Sequence, residues 1–367
     1  MIAKNNEEWI YALCLFFLSQ PYFLWGRISN LIILCVCVII SLKQISNVRD
    51  LKAVEILLTS LYFVLAFKSD VNIFGFIALI SIPLIFYLKK NFLIKVFNIY
   101  LFIFSITIIP SLFTYLLILS GIDLPFNTIK PLNILKDNNY SQYIFLVTPE
   151  NSNVLFPRFC GYYDEPGVVG TIAGVLLTAK RFNIKDKLNV PIFIAGLLSF
   201  SLYFYLILII NIFIFEKTKF KIIAASLLLL IITYSYNNEI LQELIFKRLT
   251  FEDGNLLGDN RSSEYFDTWY ESFRRTVNYY WGIGDKSNLI YNHGGASYKD
   301  IIVNFGIIYF IFYIGAFSMF GFKFLRFSKQ YFIYLLILFS ILYQRPFITS
   351  LFYIFLIFTP IYVLNED

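Results

Sequence analysis

The chain has 367 residues, 58% of them hydrophobic and only 15% charged, with a formal net charge of +6. That balance excludes an ordinary soluble domain, in which about a quarter of residues are charged. The positive charge is spread through short loops and gathers into no stripe, which argues against a nucleic-acid-binding surface.

Apolar runs follow one another in chain order over 9–25, 28–42, 53–68, 71–88, 96–120, 166–180, 190–215, 219–236, 300–322, 331–346 and 348–363. Each spans, or nearly spans, a hydrocarbon core about 30 Å thick. The first ends without a small-residue cleavage site and reads as a retained helix, not a signal peptide. Taken as they stand, these runs put the two long loops, 121–165 and 237–299, on opposite sides of the membrane. They also put Lys217, Lys219 and Lys221 on the wrong side. Splitting 190–215 near "LSFSLY" (Leu198 to Tyr203) removes both faults, and its short halves suit a tilted or re-entrant hairpin. The expectation is an all-α polytopic membrane protein of about 12 transmembrane helices (11–13), a single integral membrane domain over 1–367. Both termini are then cytoplasmic, because Lys and Arg crowd the inside loops, as at Lys43, Arg49 and Lys52 or Lys180, Arg181, Lys185 and Lys187. Both long loops lie on the non-cytoplasmic face, and each is expected to contain short interfacial helices.

The first long loop ends in "RFCGYYDEPGVVGT", Arg158 to Thr171. Asp164-Glu165-Pro166-Gly167 is a good helix start, with acids at the positive end of the dipole and proline in the first turn. Arg158 is harder to explain as part of a cap, and Cys160-Gly161 reads as a bend that returns it toward Glu165. Capping alone and a functional arginine–carboxylate group both remain open. Glu165, one step before the helix, sits where a carboxylate stays ionised. That suits an orienting role, with Asp164 or Glu165 holding an arginine or a sugar hydroxyl.

The second long loop carries Arg248 and then a regular stretch over 262–281. Phe266, Trp269, Tyr270, Phe273, Val277, Tyr280 and Trp281 share one helical face, while Glu271, Arg274, Arg275 and Asn278 take the other. Ser262 or Ser263 caps the start, and Gly282 and Gly284 end it. This predicts an amphipathic helix in the outer interface, Trp and Tyr at headgroup depth. It serves either as a cover for the bundle or as a floor for a lipid-linked substrate. The single histidine, His293, comes after it beside Gly294 and Gly295, just before an apolar run. It is either structural or a base held where backbone approaches closely. In "YQRPF" (Tyr343 to Phe347), Arg345 divides two apolar runs. An arginine deep in lipid costs about 2.5 to 3.5 kcal/mol, so it either faces a cavity or partner, or snorkels from a hairpin turn.

Arg158, Asp164, Glu165, Arg248, Arg261, His293 and Arg345 thus collect on one face. Arginine forks match phosphate oxygens and never lose their charge. No Asp-x-Asp occurs, and no His, Cys and carboxylate group has metal-ligand spacing. A phosphate leaving group would be stabilised by arginines, with no metal and no cofactor.

The two large outer loops, "RFCGYYDEPGVVGT", "RSSEYF…GIG", "HGGASYKDIIVNFGI" and "QRPF" together resemble the Wzy-type O-antigen polymerases. These belong to the broader O-antigen ligase/polymerase-like family, and the resemblance covers nearly the whole chain. It implies a GT-C-like membrane glycosyltransferase of the bacterial inner membrane with its active site in the periplasm. It implies metal-independent transfer of a growing glycan from undecaprenyl diphosphate to a new undecaprenyl-diphosphate-linked repeat unit. Membrane lipid surrounds it, and a chain-length regulator and a flippase are protein partners that the resemblance leaves open. On this reading Arg158, Arg261 and Arg345 bind the diphosphate, and Asp164 and Arg248 orient sugar. His293 resembles in position the histidine thought to act as base in the ligase branch, although the family's His-Asn is His-Gly here. Glu165 is the rival base. The alternatives are an O-antigen ligase, and a transporter or flippase of the lipid-linked unit. A flippase should place charges near the midplane of many helices, and these helix interiors are nearly charge-free.

Overall fold

In the computed structural model, residues 6–24, 29–45, 53–69, 73–130, 139–150, 157–215, 221, 226, 251–252, 255–256, 264–284 and 297–366 are described. The described chain is mostly helical. In chain order the helices are α1 (Asn6–Leu18), α2 (Ser29–Gln44), α3 (Ala53–Lys68), α4 (Ile73–Ile85), α5 (Lys90–Leu119), α6 (Pro166–Ala179), α7 (Asn189–Leu198) and α8 (Leu202–Phe215). After the second long loop begins come α9 (Glu264–Phe273), α10 (Asn278–Trp281), α11 (Tyr298–Phe305), α12 (Ile307–Leu325), α13 (Lys329–Gln344), α14 (Leu351–Phe358) and α15 (Pro360–Leu364). Every expected apolar run overlaps helix, but α1 stops at Leu18, short of the end of the run 9–25, and 219–236 lies almost wholly outside the described residues.

Among the described residues, two helices are long and apolar enough to cross a membrane: α5, with 30 residues, and α12, with 19. At 1.5 Å per residue α5 reaches about 45 Å, enough to extend beyond a hydrocarbon core. Shorter apolar helices such as α6, α7 and α8 have 10–17 residues.

The chain falls into two compact units, 1–18, 28–99 and 260–367 in the first, 19–27 and 100–259 in the second. In the first unit, ion pairs tie one set of helix ends together. Glu7 at the start of α1 meets Lys43 at the end of α2 (3.6 Å), and Glu8 meets Lys95 near the start of α5 (3.3 Å). Glu55 at the start of α3 meets Lys323 at the end of α12 (2.8 Å), and Lys90 meets Glu366 (3.9 Å). Residues near 7 and near 366 therefore share one end of this unit.

The second unit is built around α6, whose residues Val168 to Ala179 are all buried. Gly170 and Gly174, one turn apart, let side chains of the following segment come close, as small residues do at helix–helix contacts. A Cβ on Gly170 would overlap Ser201 and lie 2.6 Å from its Oγ, and one on Gly174 would lie 2.8 Å from the Tyr203 ring. The split of 190–215 occurs at Ser199–Ser201, between α7 and α8, where Phe200 takes a left-handed φ of 46°.

Three expectations need correction. The first long loop carries no interfacial helix among its described residues. It forms a three-stranded antiparallel meander, β1 (Asn127–Ile129), β2 (Tyr140–Gln142) and β3 (Val147–Pro149), with Thr128 opposite Ser141 and Ser141 opposite Thr148. The run 300–322 is divided at Gly306 into α11 and α12. The amphipathic helix 262–281 is likewise divided, by a turn over 274–277, into α9 and α10. Its first part packs Phe266, Tyr270 and Phe273 against Ile302 and Val303 of α11. Val277, Tyr280 and Trp281, which periodicity puts on the same face, are exposed.

Two glycines set the ends of α10 and α11. Gly282 (φ 78°) and Gly306 (φ 92°) lie against each other, so that neither has room for a side chain. Ile283 and Gly284 donate to the carbonyls of Val303 and Asn304, both at 2.9 Å. Lys68, at the end of α3, donates to the carbonyls of Trp281 and Phe305. An ammonium at two helix C-termini satisfies orphan carbonyls and the dipole together.

Candidate functional site

The segment Arg158–Glu165 lies along the α7–α8 break. Five successive carbonyls there need partners, because the helix stops. Ser199 Oγ donates to Gly196 (2.6 Å), Tyr205 Oη to Leu197 (2.7 Å) and the Phe159 amide to Leu198 (3.0 Å). Arg158 supplies the rest: its Nε donates to the Ser199 carbonyl (3.1 Å) and its Nη2 to the Phe200 carbonyl (2.9 Å). A fixed fork matches two adjacent carbonyls, and its positive charge suits the negative end of α7. The predicted bend is present. Gly161 has φ 58°, and the Tyr163 amide closes a turn onto the Cys160 carbonyl at 3.1 Å.

Asp164 and Glu165 come next, at the mouth of α6. The Asp164 carbonyl accepts from Tyr140 Oη of β2 at 2.9 Å, so the meander of the first loop holds this mouth. Tyr162 Oη lies 3.0 Å from Thr107 Oγ1 of α5, and Tyr163 Oη 2.8 Å from Ser19 Oγ. Glu165 has extended backbone at the N-cap position and Pro166 opens the helix, but the Glu165 side chain makes no capping hydrogen bond. Simple side-chain capping therefore does not account for this carboxylate.

In the first unit, Arg345 is 9% exposed and comes directly after the last residue of α13. Burial excludes the snorkelling arginine of a loose hairpin. Pro346 separates it from α14, every residue of which is buried. Nearby along the chain, Tyr343 stacks on Tyr298 of α11, with ring centroids 6.4 Å apart. Lys299 pairs with Asp267 of α9 at 2.6 Å and lies over the Tyr270 ring. Burial pushes the Tyr270 phenol up, and the hydrogen-bonded Glu271 carboxylate raises exposed Arg274 further.

Arg158, Asp164 and Glu165 thus belong to the second unit and Arg345 to the first. Arg248, Arg261 and His293 lie outside the described residues. Among the described residues no group of three or more His, Cys, Asp or Glu is placed to hold a metal ion. Sequence reasoning missed Lys68, Asp267 and Lys299. Asp267 and Lys299 sit on different helices, and no local spacing announces their pairing. The carbonyls of Ser199 and Phe200 carry no side-chain signal, although the need for a break between them was readable. No protein-family model matches the chain, and neither a curated protein nor a solved structure does.

Proposed function

We propose that the chain is a polytopic polymerase of lipid-linked oligosaccharide repeat units, of the O-antigen polymerase type, in a bacterial inner membrane. It transfers the growing glycan from undecaprenyl diphosphate to the non-reducing end of the incoming lipid-linked unit, on the periplasmic side. About 12 helices cross the bilayer on this reading, with both termini cytoplasmic. The observation that carries it is the coincidence of the motif segments with interruptions of apolar helices. Arg158 binds the α7–α8 break, Glu165–Pro166 opens α6, and Arg345–Pro346 divides α13 from α14. Irregular backbone at membrane depth is tolerated where protein buries it or where it lines a cavity, which is where substrate sites of membrane proteins form.

The chemistry needs a positive site for the leaving diphosphate and a base for the acceptor hydroxyl. Arg345 and Arg261 are assigned to the diphosphate. His293 is assigned as the base, with Glu165 orienting the acceptor or an arginine. Arg158 spends at least two donors on backbone, so its part is to position the break.

Deleting the gene in its native host should leave surface glycan of one repeat unit on its lipid core. Loss of all repeats would move the reading to a ligase. Restoring the gene as His293→Gln should fail to rebuild long chains, since general-base help is worth about 10² to 10⁴ in rate. A dead Glu165→Gln beside a normal His293→Gln would make Glu165 the base.

The topology has its own test. Reporter fusions after Lys136 and Asp259 should both read periplasmic, and one after Lys185 cytoplasmic. Opposite readings for Lys136 and Asp259 would overturn the even number of crossings.

A further inference from the structure

The amphipathic stretch of the second loop divides its aromatics between two jobs. Phe266, Tyr270 and Phe273 of α9 are spent on α11. Beyond them the chain makes a turn and a short helix, in which Tyr279 packs back on Phe273 while three other side chains stand out: Val277 is 73% exposed, Tyr280 53% and Trp281 60%. Arg274 and Arg275, which begin this turn, are exposed as well.

The height of this segment is fixed. Gly306, the residue before α12, sits so close to the 280–281 backbone that an added Cβ would overlap the Tyr280 carbonyl oxygen and lie 2.6 Å from the Trp281 carbonyl carbon. Lys68 bonds the Trp281 carbonyl from the end of α3. Trp281 therefore stands level with the first residue of a helix of membrane-crossing length. The neighbouring outer surfaces of α3 and α12 are apolar: Phe67 is 90% exposed and Ile311 61%. Tyr280 and Trp281 continue that surface at its rim, and the two arginines come next to it along the chain.

We propose that residues 274–281 form an interfacial anchor that seats in the phospholipid headgroup layer. Indole and phenol rings are apolar bodies with a polar edge, and they settle at the boundary between acyl chains and headgroups. Arg275 meets lipid phosphate there. The anchor sets the depth at which α9 and α11 stand above the bilayer. This inference rests on the membrane location alone and not on the glycosyl-transfer chemistry.

The test uses full-length protein in lipid nanodiscs whose phosphatidylcholine is brominated either at carbons 6 and 7 or at carbons 11 and 12. The Trp281 emission is the difference between the unaltered protein and Trp281→Phe. It should be quenched at least twofold more by the shallow bromines than by the deep ones, and little by aqueous iodide. Val277→Trp, at the most exposed position, adds an emission that should behave alike and serves if Trp281→Phe misfolds. Strong iodide quenching without bromolipid quenching would place the segment in water and overturn the anchor. Insensitivity to both quenchers would mean that protein covers it, and would overturn the anchor equally. Failure of the polymerase reading leaves both results unchanged.

Discussion

Gly306→Ala should leave almost no protein that survives extraction from the membrane as a folded monodisperse species. The backbone there has φ 92°, and a non-glycine residue held so costs about 1 to 3 kcal/mol. The larger cost is steric. The new Cβ would overlap the Tyr280 carbonyl oxygen, which is backbone and has no rotamer to escape into. Gly282→Ala meets the same crossing from the other chain segment, 2.6 Å from the Gly306 amide nitrogen, and should fail similarly. Gly315→Ala is the matched control. It lies within α12 with nothing within 4 Å of its added Cβ, so it should be neutral or stabilising by up to about 1 kcal/mol. Heat unfolding followed by tryptophan fluorescence compares them. If Gly306→Ala unfolds at the temperature of Gly315→Ala, the crossing is not what joins α10 to α11.

Arg158→Ala should lose both folded stability and chain polymerisation. Two charge-assisted hydrogen bonds to the Ser199 and Phe200 carbonyls disappear. At about 1.5 to 3 kcal/mol each, and with partial replacement by water at this half-buried site, a loss of about 3 kcal/mol is expected. Arg158→Lys should recover part of it, because a point charge reaches the carbonyls without the fork. The measurement is paired: heat unfolding of each purified variant, and the glycan ladder it supports in cells. Normal unfolding with an abolished ladder would make Arg158 a substrate ligand and not a brace for the break.

The helices were legible because an apolar run leaves little choice of structure once water is absent. The α7–α8 break was legible for a different reason, the placement of Lys217, Lys219 and Lys221, which is a rule about topology and not about backbone. Periodicity misleads at 274–281. The pattern of Val277, Tyr280 and Trp281 continues that of Phe273, but the helix ends at Phe273, the chain turns over 274–277, and the short α10 is then closed by the Gly282–Gly306 crossing. Gly282 reads as a helix end, which it is; its contact partners 22 to 24 positions away carry no sequence mark. The meander escaped notice because three-residue strands are too short to show an alternation. Of the site, the mouth of α6 and the position of Arg345 between two apolar runs were readable as unusual chemistry. The assignment of Arg158 to carbonyls 41 and 42 residues away was not.

The burial of α6 has a consequence for how the chain is made. On the proposed topology this helix of 14 residues, about 21 Å long, enters a bilayer core thicker than its own length. Ser201 and Tyr203, which fill the hollows at Gly170 and Gly174, leave the ribosome later than α6 does. On that topology the helix lies for that interval among lipids with its two notches not yet filled by Ser201 and Tyr203. Entry into the membrane and final docking must then be separate events, in that order. Biogenesis should stall at α6 in any chain that terminates before α8 has emerged.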